Sequence, residues 1–312
     1  RLGKLPPLLQ REIVFFSYSV TGAGGESTSQ EDIFAVSPLT GTIRRVTDDR
    51  TLPVMKSDRD PAWSPSRTSL AIHSASGEGG THLRLINPVT GVVTHTLVPG
   101  CCPEWLDATT LLYLDTVDAG TDTARADVFC VDITTLAIRR LTDVGVGADI
   151  TGMSWHPSAG LAVGLTESGP PYRSSIAVVP AAAIGAARAP GGSPVTRSGL
   201  TVVSPPGAHA SSPDWSPAAD RIALATWTDG APSRVGHLAV ATGVVQLVPG
   251  PAPETPALND HGPAFSRDGR LIAFTRGYED EWTEIWVHNL TSGHNRQLTD
   301  EGRTRFKGAL DW

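Results

Sequence analysis

The chain has 312 residues, a formal charge of −7, 40% hydrophobic and 18% charged residues, 32 glycines and 25 prolines. The acidic balance disfavours a non-specific nucleic-acid binder, which needs a basic field against phosphate. No apolar run approaches the ~20 residues of a membrane span, and three cysteines are too few to frame a domain of this size.

In chain order, residues 1–10 read as an N-terminal extension. The chain starts at Arg1 without Met, so removal of a leader or tether is expected. Residues 11–17 (REIVFFS) form a strand with no strand before it. Strands ending in an aromatic then recur, usually followed by a turn and a β-rich run. They are DPAWSPSRTSLAIHS (anchor Trp63), CPEWLDATTLLYLD (Trp105), GMSWHPSAGLAVGLT (Trp155), SPDWSPAADRIALAT (Trp215), GPAFSRDGRLIAFTR (Phe265) and the closing GALDW (Trp312). The anchors lie 42, 50, 60, 50 and 47 residues apart. That period, with several short strands per unit, is the pattern of β-propeller blades.

Within a unit, the turn Ser266-Arg267-Asp268-Gly269 has a mechanism: Asp bonds its own backbone and Gly takes positive φ. An alternating third strand follows, as in residues 82–87, 127–132 and 284–289, and then a fourth. Three fourth strands end nearly alike, in RRVTD (44–48), RRLTD (139–143) and RQLTD (296–300). Residues 180–200, rich in Ala, Gly and Pro, read as an insertion behind the longest spacing, with 180–188 (PAAAIGAAR) a loop or a single helical excursion. The expected fold is all-β, one six-bladed propeller over residues 11–312 with four antiparallel strands per blade. The closing strand 307–312 joins residues 11–48, and further blades span about 59–98, 101–143, 151–203, 211–248 and 261–300. Pairing the two ends removes the edges an open ring would expose.

The run D-x-x-P-x-W-S-P-D-G-x-x-I-A-F is nearest to complete at residues 58–72, 212–224 and 260–274, with Ser66-Arg67 standing for Asp-Gly in the first. It resembles the TolB-like (WD40-like, PD40) family of six-bladed propellers over about residues 11–312. That family includes periplasmic partner-binding proteins, propellers beside serine peptidases, and propellers with enzymatic or sugar-processing roles. The resemblance implies residence in the cell envelope or secretion. The small α/β domain ahead of the TolB propeller has no counterpart in this sequence. No G-x-S-x-G occurs either, so the peptidase branch is disfavoured.

The first-to-second and third-to-fourth strand turns are mostly tight. The long polar loops (19–30, 75–80, 116–126, 167–173, 228–236, 277–282, 51–59 and 249–261) gather on the opposite face, where binding is expected. Residues before each first strand approach the channel mouth there: Arg59 and Asp60, Cys101 and Cys102, Asp149 and Thr151, His209 and Ser211, Asp260 and His261, Arg305 and Lys307. Tyr18, Tyr172, Trp227, Tyr278 and Trp282 on the loops could wall the same site, suiting a sugar, peptide or organic ligand.

A non-catalytic propeller is therefore expected, monomeric, binding a partner protein or a small-molecule or carbohydrate ligand at this mouth through Cys102, Asp149, Tyr172, Trp227, Tyr278 and Trp282. The alternative is a lyase, hydrolase or isomerase acting on an oxygen-rich small molecule or sugar. It would use His209 or His261 as acid or base, Asp60 or Asp260 to orient, and Arg59 or Arg305 against developing negative charge. Ca²⁺ or another divalent metal in the channel would draw on Asp60, His209, Asp260 and His261. Plainer roles compete: Asp60 and Asp260 as turn formers, His156 as a turn residue in place of Ser, the anchors as packing between blades, Cys130 as a buried small hydrophobe, and Cys101-Cys102 as two free thiols.

Overall fold

Alternating buried and exposed positions, with glycine or a small polar turn at the reversals, fold each unit into a four-stranded antiparallel meander. The protein is seen as a computed structural model that describes residues 12–19, 31–48, 56–76, 80–169, 172–250, 258–278, 282–302 and 304–312. Six such sheets carry, as first strands, Arg305–Asp311 (blade 1), Lys56–Trp63 (blade 2), Cys101–Trp105 (blade 3), Ala148–His156 (blade 4), His209–Trp215 (blade 5) and Asn259–Phe265 (blade 6). In blade 1 the N-terminal strand Ile13–Ser19 pairs with both Arg305–Asp311 and Asp32–Val36, so the two ends of the chain close the ring. The expected extension 1–10, most of loop 19–30 and parts of five other long loops lie outside the described residues.

The turns follow their chemistry. Asp268 accepts from Ser266 Oγ (2.7 Å) and from the Arg270 N–H (3.1 Å), and Gly269 takes φ +67°. His156 replaces this serine in blade 4, and its Nδ1 accepts the Ser158 N–H at 3.3 Å. The like endings of three fourth strands clasp the third strand. Thr142 Oγ1 accepts the Val128 N–H (2.9 Å) and donates to buried Asp127 (2.8 Å). Thr47 and Thr299 accept the Ile33 and Ile285 N–H groups at 3.0 and 2.9 Å. Residues 180–200 hold the helix Ala181–Arg188, which buries Ile184 and Ala187 against the core shared by blades 3 and 4. Arg188 fastens it to Asp107 at 2.8 Å.

The core lies between blades. Trp105 packs with Ala62, Ala71, Leu83 and Leu85 of blade 2 and with Leu111 and Tyr113 of its own blade. Burying such a side chain contributes roughly 1.5–3 kcal/mol, so the anchors hold the ring together.

Candidate functional site

Every first strand breaks its ladder with a bulge shortly before the anchor aromatic; in blade 1 the step from Gly308 to Asp311 faces the shorter step from Val14 to Phe16. Three residues before the anchor the backbone is left-handed in five blades: Asp60 (φ 49°), Cys102 (55°), Ser212 (52°), Gly262 (54°) and Ala309 (45°). Proline follows in four of these, at Pro61, Pro103, Pro213 and Pro263, where it gives up no N–H the ladder needs. A left-handed non-glycine residue costs ~1–3 kcal/mol. Its recurrence at one position shows the scaffold imposing the geometry. These bulges from all six blades surround an axial cavity of about 470 Å³.

One residue before the anchor, alternate blades place an acid in the wall of this cavity: Glu104, Asp214 and Asp311. Each reaches to the next blade and accepts the N–H of its anchor. Asp311 takes that of Trp63 (2.5 Å), Glu104 that of Trp155 (3.4 Å) and Asp214 that of Phe265 (2.6 Å). In blade 4 Ser154 does the same for Trp215 at 3.0 Å. Among the described residues none of the three acids forms an ion pair. Burial, with the charges of Asp311 and Asp214 nearby, pushes Glu104 well above the usual carboxylate range. Burial pushes Asp214 up to about 7, with Asp311 adding repulsion against the Phe265 N–H and Ser154 bonds. Burial also raises Asp311, with Arg67 opposing. The three channel acids thus have no ion partner among the described residues, while Lys307, also in the channel lining, pairs with Glu284 and Glu301 instead.

The residues expected at the mouth separate into several environments. Asp60, Cys102 and His261 do line the channel. Arg59 forks onto Glu31 and lies 5.6 Å above the Phe16 ring. Arg305 donates to Ser17 Oγ (3.0 Å) and lies over Phe34. Asp260 is fully buried, bonded by Arg276 (2.6 and 2.9 Å) and Arg234 (3.2 Å), so it fastens blades rather than facing a ligand. Asp149 accepts the Ala126 N–H at 2.8 Å, which gives it a loop-fixing role. Trp282 opens the third strand of blade 6, half-buried; the side chain of Tyr278 lies outside the described residues.

His209 lines a second cavity, of about 500 Å³, with Glu167, Tyr172, Arg173 and Asp229. Its ring stacks on Trp227 at 5.2 Å. Nδ1 accepts the Ser174 N–H (3.3 Å), so Nε2 donates to Asp229 (3.0 Å). The four residues expected to hold a metal are therefore divided among channel, blade interior and second cavity. Among the described residues no group of three or more His, Cys, Asp or Glu side chains is placed to hold a metal ion.

The channel acids are the residues that sequence reasoning missed. The signal was present in Pro-Glu-Trp, Pro-Asp-Trp and Leu-Asp-Trp, where an acid directly precedes the anchor.

No family model and no curated protein matches the chain. Solved structures do. TolB from Acinetobacter baumannii aligns with a TM-score of 0.69 at 15% identity, over 98% of this chain and 67% of that one. A structure described as TolB from Agrobacterium tumefaciens aligns at 0.62 and 14%, over 95% and 96%. An oligogalacturonate lyase in complex with manganese aligns at 0.52 and 12%, over 88% and 72%. The chain is thus a six-bladed β-propeller of the TolB-like fold.

Proposed function

We propose that this propeller is a non-catalytic binding module whose axial channel receives a cationic group, carried by an extended segment of a partner protein or by a small organic ligand. The observation behind this is the set of Glu104, Asp214 and Asp311: three acids from alternate blades, without ion pairs, each raised by burial. A bound cation would relieve their repulsion and restore the charged forms, and the energy released would be binding energy. The bulged, proline-rich wall gives a stiff lining that loses little entropy on binding. Likeness to TolB supports partner binding and a place in the cell envelope. Lysine- or arginine-bearing extended peptides, titrated by fluorescence anisotropy, should bind wild type at least about tenfold more tightly than the Glu104→Gln/Asp214→Asn double variant. Equal binding by both, or preference for acidic peptides, would overturn the reading.

A second reading has one specific support. The Ser174 N–H occupies the Nδ1 lone pair of His209, so in this reading the imidazole orients Asp229 as the base beside the second cavity. Turnover of oligosaccharide or ester substrates abolished by His209→Gln would favour an enzyme; absence of turnover in wild type would remove that reading.

A further inference from the structure

Adjacent residues in an extended strand point to opposite faces, yet the side chains of Cys101 and Cys102 meet. Cys102 is left-handed (φ 55°) and precedes Pro103, which breaks the alternation at the bulge. The two sulfurs lie 2.9 Å apart, with both residues partly exposed and Cys102 in the channel wall. Cys102 Sγ also lies 3.7 Å from Asp60 Oδ2, and Asp60 faces His73 Nδ1 at 3.5 Å. Both ring nitrogens of His73 are buried and without a hydrogen bond. This polar nest on blades 2 and 3 takes no part in the acid set that carries the proposed binding.

We propose that Cys101 and Cys102 form a reversible dithiol site that small disulfides oxidise to a vicinal disulfide in the channel wall. The Cys101 thiolate attacks one sulfur of the disulfide R–S–S–R. A mixed disulfide forms and one R–S⁻ leaves, taking up a proton. Cys102 then attacks the Cys101 sulfur and loses its proton. The second R–S⁻ leaves, so the two protein thiols are oxidised and the small disulfide is reduced to two thiols. The roles follow from the geometry. The Cys102 S–H bond to Cys101, aided by His73, draws the Cys101 thiol down. Cys102 is pushed up by that same bond, by burial and by Asp60. Closure between neighbours is strained and so readily reduced, which suits a labile bond rather than a structural one. Cys130, buried within its sheet, is an internal control.

The test uses the full chain, reduced and then titrated with oxidised glutathione, followed by peptide mass analysis. The peptide holding both cysteines should lose the mass of two hydrogens and cease to take up iodoacetamide, while Cys130 stays a thiol. Cys102→Ser should stop at one glutathione on Cys101, and Cys101→Ser should react at least about tenfold more slowly than wild type. The proposal is overturned if glutathione accumulates on both sulfurs, if Cys101 pairs with Cys130, or if Cys101→Ser reacts as fast as wild type. It is overturned equally if no oxidation occurs. A circular dichroism melt of each variant confirms the folded state in which these rates are compared.

Discussion

In the blade interiors buried carboxylates meet cations: Asp260 lies between Arg276 and Arg234, Asp127 against Arg140 at 2.7 Å, and Glu284 beside Lys307 at 3.0 Å. In the channel wall Glu104, Asp214 and Asp311 meet backbone N–H groups and the field of one another. Both sets are held by the same blade scaffold, but only the first is electrostatically complete without a ligand. A carboxylate whose partner is built into the chain serves the fold. One that repels its neighbours around a cavity is, in the proposed function, the group a bound cation completes.

The contrast breaks first at Asp260. Replacing it by Ala strands Arg276, whose side chain is 3% exposed, as an uncompensated buried charge. Stability should fall by about 3–5 kcal/mol, read as a lower urea midpoint. A loss under about 1 kcal/mol would mean that the pair is not a structural fastener. Next in size is Thr142→Val, which removes the acceptor for the buried Val128 N–H and the donor to Asp127. About 1–3 kcal/mol should be lost, and hydrogen exchange at Val128 should quicken if the clasp is as described.

The fold was legible because packing and turn residues repeat: an aromatic anchor, a polar turn and an alternating strand leave a linear trace at a fixed period. The site was less so, for two physical reasons. Asp260 looked like a functional acid, yet its register partner in the next strand is Arg276. That cross-strand neighbour appears only once the hairpin is aligned. His209 and His261 looked equivalent, but they stand six and four residues before their anchors, and that offset puts one in the second cavity and the other on the axis. The channel acids were hidden in the reverse way. Glu104, Asp214 and Asp311 are widely separated in sequence, and only ring closure makes them neighbours.

The channel side of the comparison is sharpened by Asp214→Asn, where the expected sign is the opposite of that at Asp260. The folded protein raises Asp214 from 3.8 to about 7, so the group favours folding while protonated. That contribution is fully present below the unfolded value and is lost as pH rises through about 7. Asn keeps an oxygen for the Phe265 N–H and removes the charge. The variant should therefore match wild type near pH 4 and become more stable by about 1–2 kcal/mol at pH 8, measured by urea unfolding at both pH values. The same titration governs binding: a cationic peptide should bind wild type more tightly as pH rises through about 7, and the variant should show a flatter profile. A variant less stable than wild type at pH 8 would put Asp214 among the structural acids, and the division between channel and blade interior would fail at that residue.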